Sequence, residues 1–155
     1  MIEYPPMKYF AGLLAIVLAA VITHGQWQQP PGDVPSFHAA PPAKGEKLPS
    51  LLTQAQLAEA GQTMPAQKES YKAAAKIGAV LYQQPCYCHC DKHAGHTSLR
   101  SCFESMHGAN CGTCMAEALY AYQQSKKGWT AKMIREGIQR GEYQSVDLQN
   151  PQPVM

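Results

Sequence analysis

The sequence predicts an all-α protein: a small, cysteine-rich helical domain of three to four short helices around a loop of cysteines and histidines. Apolar side chains recur at helical spacing in several segments after residue 65, as at Tyr71, Ala74 and Leu81. All 6 cysteines fall between residues 86 and 114, in the middle of these segments. Because so short a domain seldom buries enough apolar surface to be stable alone, we expect disulfides or a metal ion to hold the helices together.

Length, charge and composition limit the function classes. The chain has 155 residues, a net charge of +2 and 15% charged residues. This length predicts one small folded domain. The nearly balanced charge provides no basic surface, so we expect no nucleic-acid partner. Cysteine and histidine side chains can support nucleophilic catalysis, but no residue pattern marks a general base or an oxyanion site. The sequence therefore favours a binding protein over an enzyme.

Residues 1–25 are predicted to be a signal peptide or a membrane anchor. Residues 9–22 are apolar and uncharged, follow a lysine, and precede the small residues Thr23 and Gly25. This stretch is short for a membrane span and has the length of the apolar region of a signal peptide. We therefore expect an exported protein, periplasmic or otherwise extracytoplasmic, that touches the membrane only through residues 9–23 if they remain attached. Disulfides can persist in such a compartment.

Two segments that flank the cysteine region offer few side chains to a core. Residues 26–64 are rich in proline and small or polar residues, which predicts a semi-rigid linker. Within this linker a short helix is predicted, because Thr53 and Gln56 have the spacing of a capping box. Residues 144–155 are predicted to be a disordered tail. The cysteine-rich domain is then predicted over residues 65–143.

The first helices of this domain have clear boundaries in the sequence. Pro65 suits the first turn of a helix, and Pro85 prevents that helix from continuing. Thr97 or Ser98 can cap a second helix, in which Cys102 lies on the apolar face. The first helix therefore leads directly into the cysteine-rich loop.

The later helices are also marked by capping residues. Asn110 is a suitable N-cap for a third helix, and Cys111 and Cys114 then fall in its first turn. The free N–H groups and the dipole at a helix start stabilise thiolates. A last short helix is predicted from the N-cap Thr130 to Gly141.

The loop after Pro85 carries the most informative pattern in the chain. Cys86, Cys88 and Cys90 alternate with other residues, and histidines follow at positions 93 and 96. If this run is extended, its three sulfurs lie on one face. A disulfide between residues two positions apart is strained, so we expect these sulfurs to find partners elsewhere, either a metal ion or the later cysteines.

The hexapeptide at residues 85–90, Pro-Cys-Tyr-Cys-His-Cys, resembles the signature of the bacterial PCYCGC-motif proteins. The resemblance extends through the histidines and the later cysteines, over roughly residues 70–143. It implies a small exported protein, often tethered to the membrane, with a cysteine-centred domain. His89 stands where the family usually has glycine, which removes backbone freedom and adds a further candidate ligand.

Metal binding is the hypothesis that explains both the cysteines and the histidines. An excess of thiolates favours a soft ion, so we expect copper as Cu(I), with zinc as the alternative metal. The metal ion would be the main partner, and other exported metal or redox proteins are further candidates. The predicted ligands are Cys86, Cys88, Cys90, His93, His96, Cys102, Cys111 and Cys114.

Two alternatives need no metal. In the first, three disulfides join Cys86, Cys88 and Cys90 to the three later cysteines, which leaves six connectivities and no role for the histidines. Such a protein would be a stapled structural or interaction domain without a cofactor. In the second, Cys111 and Cys114 exchange thiols and disulfides at a helix start. No strand is predicted before Cys111, so the usual context of that motif is missing.

Overall fold

The computed structural model describes residues 32–155. It contains four α-helices: α1 (Gln54–Glu59), α2 (Pro65–Leu81), α3 (Gly112–Lys126) and α4 (Ala131–Gln139). Three 3-10 helices complete it, at Leu99–Phe103, Gly108–Asn110 and Glu142–Ser145. No β-strand occurs within residues 32–155, so the predicted all-α class with a cysteine-rich loop is confirmed.

The predicted signal peptide or membrane anchor at residues 1–25 lies outside the described residues. Within residues 32–155, none of the helices combines the length and the apolar character that a membrane crossing requires.

Helices α2 and α3 form the centre of the fold and position the cysteine loop between them. Pro65 is the first residue of α2, as its fixed backbone angle favours, and the helix ends at Leu81, before Pro85. The side chains of Tyr71 and Leu81 are buried in one cluster with Cys86 and Cys90 of the loop. The cysteine loop is therefore part of the core and does not lie on its surface.

The second predicted helix is shorter than expected. Ser98 is its N-cap, but the segment Leu99–Phe103 forms only a 3-10 helix. The chain then turns, and Gly108 lies so close to the preceding segment that a Cβ there would be 2.9 Å from the Cys102 carbonyl oxygen. This close packing turns the chain toward α3 and leaves no room for a longer helix.

Local capping signals place the remaining helices well. The capping box of Thr53 and Gln56 begins α1, and the Thr130 hydroxyl accepts the Met133 N–H at the start of α4. Helix α3 begins one residue later than predicted, with Cys111 as its N-cap. Cys114 therefore lies in the first turn as predicted, whereas Cys111 lies just before it.

Residues 33–38, in the predicted linker, run in an extended path along the cysteine loop. The Ser36 N–H donates to Asp91 Oδ2 at 3.0 Å. The His38 ring stacks on Tyr82 with ring centroids 3.8 Å apart. These contacts join residues far apart in the chain, so no local sequence pattern predicts them.

The C-terminal residues, for which the sequence predicts disorder, pack on α2 and α3. Val154 is buried beside Leu119 and Tyr122. Its N–H donates to Glu69 Oε2 at 2.7 Å. One apolar side chain and one backbone hydrogen bond thus attach the end of the chain to the helices.

Candidate metal centre

The motif loop does not adopt the extended conformation that the alternating cysteines suggested. The His89 N–H donates to the Cys86 carbonyl at 3.0 Å, which closes a turn. His89 has a φ of +55°, in the left-handed region that glycine adopts most easily. Because of this turn, Cys86 and Cys88 stay together while Cys90 is directed toward a different set of neighbours.

Three sulfurs form a first group, between the loop and α3. The Cys86 Sγ lies 3.2 Å from the Cys88 Sγ and 3.4 Å from the Cys114 Sγ. Cys88 and Cys114 are separated by 3.6 Å. Cys86 and Cys114 are buried and Cys88 is partly exposed, so one edge of this group is accessible to solvent.

A second group combines two sulfurs with an imidazole. The Cys90 Sγ lies 3.4 Å from the Cys102 Sγ. The His96 Nδ1 lies 3.1 Å from the first of these sulfurs and 3.3 Å from the second. Both cysteines are buried, and His96 is partly exposed.

His107 and Cys111 extend the first group toward the start of α3. The His107 Nε2 lies 3.8 Å from the Cys88 Sγ. Donor atoms of Cys88, His107, Cys111 and Cys114 all lie within 4.8 Å of one another. Cys111 is the N-cap of α3 and Cys114 lies in its first turn, where the helix dipole favours the charged thiolate.

Seven of the eight predicted ligands meet at this cluster, and His93 does not. The Ala94 N–H donates to the Cys90 carbonyl at 2.8 Å, and on this turn the His93 side chain is exposed. His107 was not predicted as a ligand. Its spacing of four and seven residues from Cys111 and Cys114 was the signal, because these positions lie on one side of a helical path.

The six thiols are free, and hydrogen bonds between them shift their pKa values. No two of the six sulfurs are at bonding distance, because their closest described separation is 3.2 Å and a disulfide bond is about 2.05 Å long. Hydrogen bonds from the neighbouring thiols, Cys102 first, hold the pKa of the Cys88 thiol below its usual value. Those with Cys102 and Cys114 raise the pKa of the Cys86 thiol.

Glu117 of α3 forms a hydrogen bond with the motif loop, and this role was not predicted from the sequence. It is fully buried in α3, and its Oε1 accepts the Tyr87 N–H at 2.9 Å. Burial raises the pKa of this carboxyl well above its usual value. Its other oxygen has no hydrogen-bond partner among the described residues. Glu117 therefore fixes the middle of the motif to α3 through this hydrogen bond.

The cluster has partly open sides. Cys88, Cys111, His96 and His107 are each partly exposed. His96 also lines a surface cavity of about 410 Å³, with Tyr82 among its other walls. An ion or a small ligand can therefore reach the donor atoms without unfolding of the helices.

The donor separations fit metal coordination. A tetrahedral ion with bonds of about 2.3 Å to sulfur holds its ligands about 3.8 Å apart. The sulfur–sulfur separations in the two groups are 3.2, 3.4, 3.6 and 3.4 Å, all somewhat shorter than this value. The arrangement can bind a thiophilic ion after small movements of the side chains.

The comparisons agree with the motif. A family model described as "Protein of unknown function with PCYCGC motif" matches residues 46–153, which is more than half of the chain. No curated protein and no solved structure matches the chain. The matched region contains every cysteine and both histidines of the cluster. The chain belongs to the family of PCYCGC-motif proteins.

Proposed function

We propose that this protein is an exported metal-binding protein that handles Cu(I) through its cysteine and histidine cluster. The observation that carries the proposal is the set of three overlapping groups of four donors, each within 4.8 Å, built from the motif loop, the segment around Cys102 and the start of α3. Groups of this kind bind metal ions in proteins, whereas disulfide-stapled domains bring their sulfurs together in bonded pairs.

The chemistry of the donors favours a soft ion. Thiolates select Cu(I) and zinc over magnesium or calcium, which prefer oxygen ligands. Structural zinc sites use four ligands, and this cluster offers twice that number. A surplus of sulfur donors suits Cu(I), which exchanges readily between neighbouring thiolates. Zinc remains the alternative ion.

Partial exposure of the ligands supports metal handling over a purely structural role. Structural zinc sites are closed, whereas Cys88 and Cys111 are partly exposed here. His96 is reached from the surface cavity. An exported metal or redox protein that approaches from this side can accept or deliver the ion.

Export is supported by the sequence. Residues 9–22 have the apolar character of a signal peptide and follow a lysine. We expect the folded domain in the periplasm or outside the membrane, either free or tethered by residues 9–23. Fractionation of cells that express the full chain tests this, and recovery of most of the full-length protein in the cytoplasm would contradict it.

Metal binding is tested by competition under anaerobic, reducing conditions. The full chain is titrated with Cu(I) and, separately, with Zn(II) in the presence of a chromogenic chelator. We expect the chain to withdraw Cu(I) from the chelator and Cys88→Ser to do so at least about tenfold more weakly, because even indirect support of a ligand is worth about 10–100-fold in affinity. His93→Ala is the matched control, since His93 is exposed and outside the cluster. A reduced chain that leaves both ions with the chelator refutes the proposal.

A further inference from the structure

The number of donor atoms at the cluster exceeds what one ion can use. Six sulfurs and the imidazole nitrogens of His96 and His107 form a continuous set. A tetrahedral thiophilic ion takes four ligands. We infer that the cluster holds two soft metal ions, which share the thiolate of Cys88 as a bridge. This inference rests on the proposed metal binding and concerns how many ions bind and where.

One centre, called here the imidazole centre, is the group of Cys90, Cys102 and His96. Its three donor atoms form a nearly regular triangle with sides of 3.1, 3.3 and 3.4 Å. Both sulfurs are buried, and the imidazole closes the side toward the surface. An ion bound by this group would have three protein ligands, from the loop and the adjoining 3-10 helix.

The other centre, called here the three-sulfur centre, is the group of Cys86, Cys88 and Cys114. Its sides are 3.2, 3.4 and 3.6 Å. The donor atoms of Cys111 and His107 lie within 4.8 Å of Cys88 and Cys114, so either can complete a fourfold site. This centre uses the first turn of α3, whereas the imidazole centre uses none of it.

Cys88 connects the two centres. It is the one residue that occurs in all three groups of four donors. One of these groups joins Cys88 to Cys90 and Cys102 of the imidazole centre, and another joins it to Cys111 and Cys114. A thiolate sulfur has several lone pairs and can bind two ions at once. Cys88 is therefore placed to bridge them.

The stoichiometry of the full chain tests the inference. The reduced chain is loaded anaerobically with excess Cd(II), a soft probe ion, and the bound ions are counted by native mass spectrometry. We expect two Cd(II) ions per chain, and at least two ions when Cu(I) is used. Cadmium NMR should give two resonances, because the two centres have different ligands, and a coupling between them through the shared sulfur.

Variants separate the two centres. His96→Ala combined with Cys90→Ser should reduce the count from two ions to one, and so should Cys114→Ser combined with Cys111→Ser, with helical circular dichroism used to check folding. Cys88→Ser should remove the coupling between the resonances. A wild-type chain that binds a single Cd(II) and a single Cu(I) overturns this inference and leaves the proposed function intact. Two uncoupled resonances overturn the bridge. A chain that binds neither ion refutes both proposals.

Discussion

The imidazole rings of His96 and His107 meet edge to face, with ring centroids 4.8 Å apart. Each ring lies nearest to a different sulfur. The His96 Nδ1 lies 3.1 Å from Cys90, and the His107 Nε2 lies 3.8 Å from Cys88. The two histidines thus lie side by side on the outer edge of the cluster, although they are eleven positions apart in the sequence.

The first prediction follows from this pair. His96→Ala and His107→Ala should each weaken Cu(I) binding at least about tenfold, because each removes a donor atom and loss of even a supporting contact costs about 10–100-fold. Competition with a chelator measures the affinity. His93→Ala is the control and should leave it unchanged, since that side chain is exposed. Equal affinities for His107→Ala and the control would show that His107 is not a ligand.

The second prediction concerns His89, which replaces the glycine of the motif. Its φ of +55° is unfavourable for a residue with a Cβ, at a cost of about 1–2 kcal/mol. The His89 Nε2 lies 3.5 Å from Asp33 Oδ2. Because Asp33 is half exposed, the loss of this ion pair in a His89 variant should cost little stability. His89→Gly should therefore raise the free energy of unfolding by about 1 kcal/mol in urea denaturation. His89→Ala keeps the unfavourable φ and should not stabilise the chain. A less stable glycine variant would contradict the assigned backbone conformation.

A third prediction tests the contact between α3 and α4. A Cβ at Gly137 would overlap the Tyr120 hydroxyl, which donates to Glu142. Gly137→Ala should thus lower the free energy of unfolding by about 1–3 kcal/mol, as overpacking does. Gly78→Ala is the matched control in α2, because its Cβ would meet nothing closer than 3.7 Å. It should stabilise the chain by about 0.5–1 kcal/mol through helix propensity.

Thermal or urea unfolding measures both glycine variants. Combining Gly137→Ala with Tyr120→Phe should recover part of the loss, because the hydroxyl that is overlapped is removed. If Gly137→Ala and Gly78→Ala change stability in the same direction, the close approach of the two helices is wrong.

Sequence reasoning succeeded where the signals are local. Pro65, the capping box at Thr53 and the N-cap Thr130 act on backbone groups within four residues, so their roles can be read without knowledge of the fold. The helical class of the domain follows from the same kind of signal. The clustering of the cysteines in sequence also indicated that they meet in space.

Sequence reasoning failed where distant residues decide the conformation. The alternating cysteines suggested an extended run, but a turn at Cys86 and the support of Glu117 under Tyr87 direct the sulfurs to two different groups. His107 was not predicted as a ligand, and its approach to Cys88 depends on the 3-10 helix that follows it. The sequence indicated that the cysteines lie together, whereas their division between two groups was not predictable.

The last prediction concerns the attachment of the C-terminal residues to α2. Burial raises the pKa of Glu69, but the hydrogen bonds from Lys72 and from the Val154 N–H outweigh it, so the pKa lies below its usual value. A carboxyl whose pKa is lowered by folding stabilises the native state above its unfolded pKa of 4.5, and this contribution is lost as the pH falls through the lower native value. Glu69→Gln should therefore lower the free energy of unfolding by about 1 kcal/mol at pH 7, and the difference from the native chain should shrink well below pH 4.5.

Urea denaturation of the reduced chain at both pH values measures this difference in the free energy of unfolding. Glu59→Gln, at the exposed end of α1, is the control and should change stability little at either pH. A loss for Glu69→Gln that is as large in acid as at pH 7 would mean that the carboxylate charge is not what holds Val154 against α2.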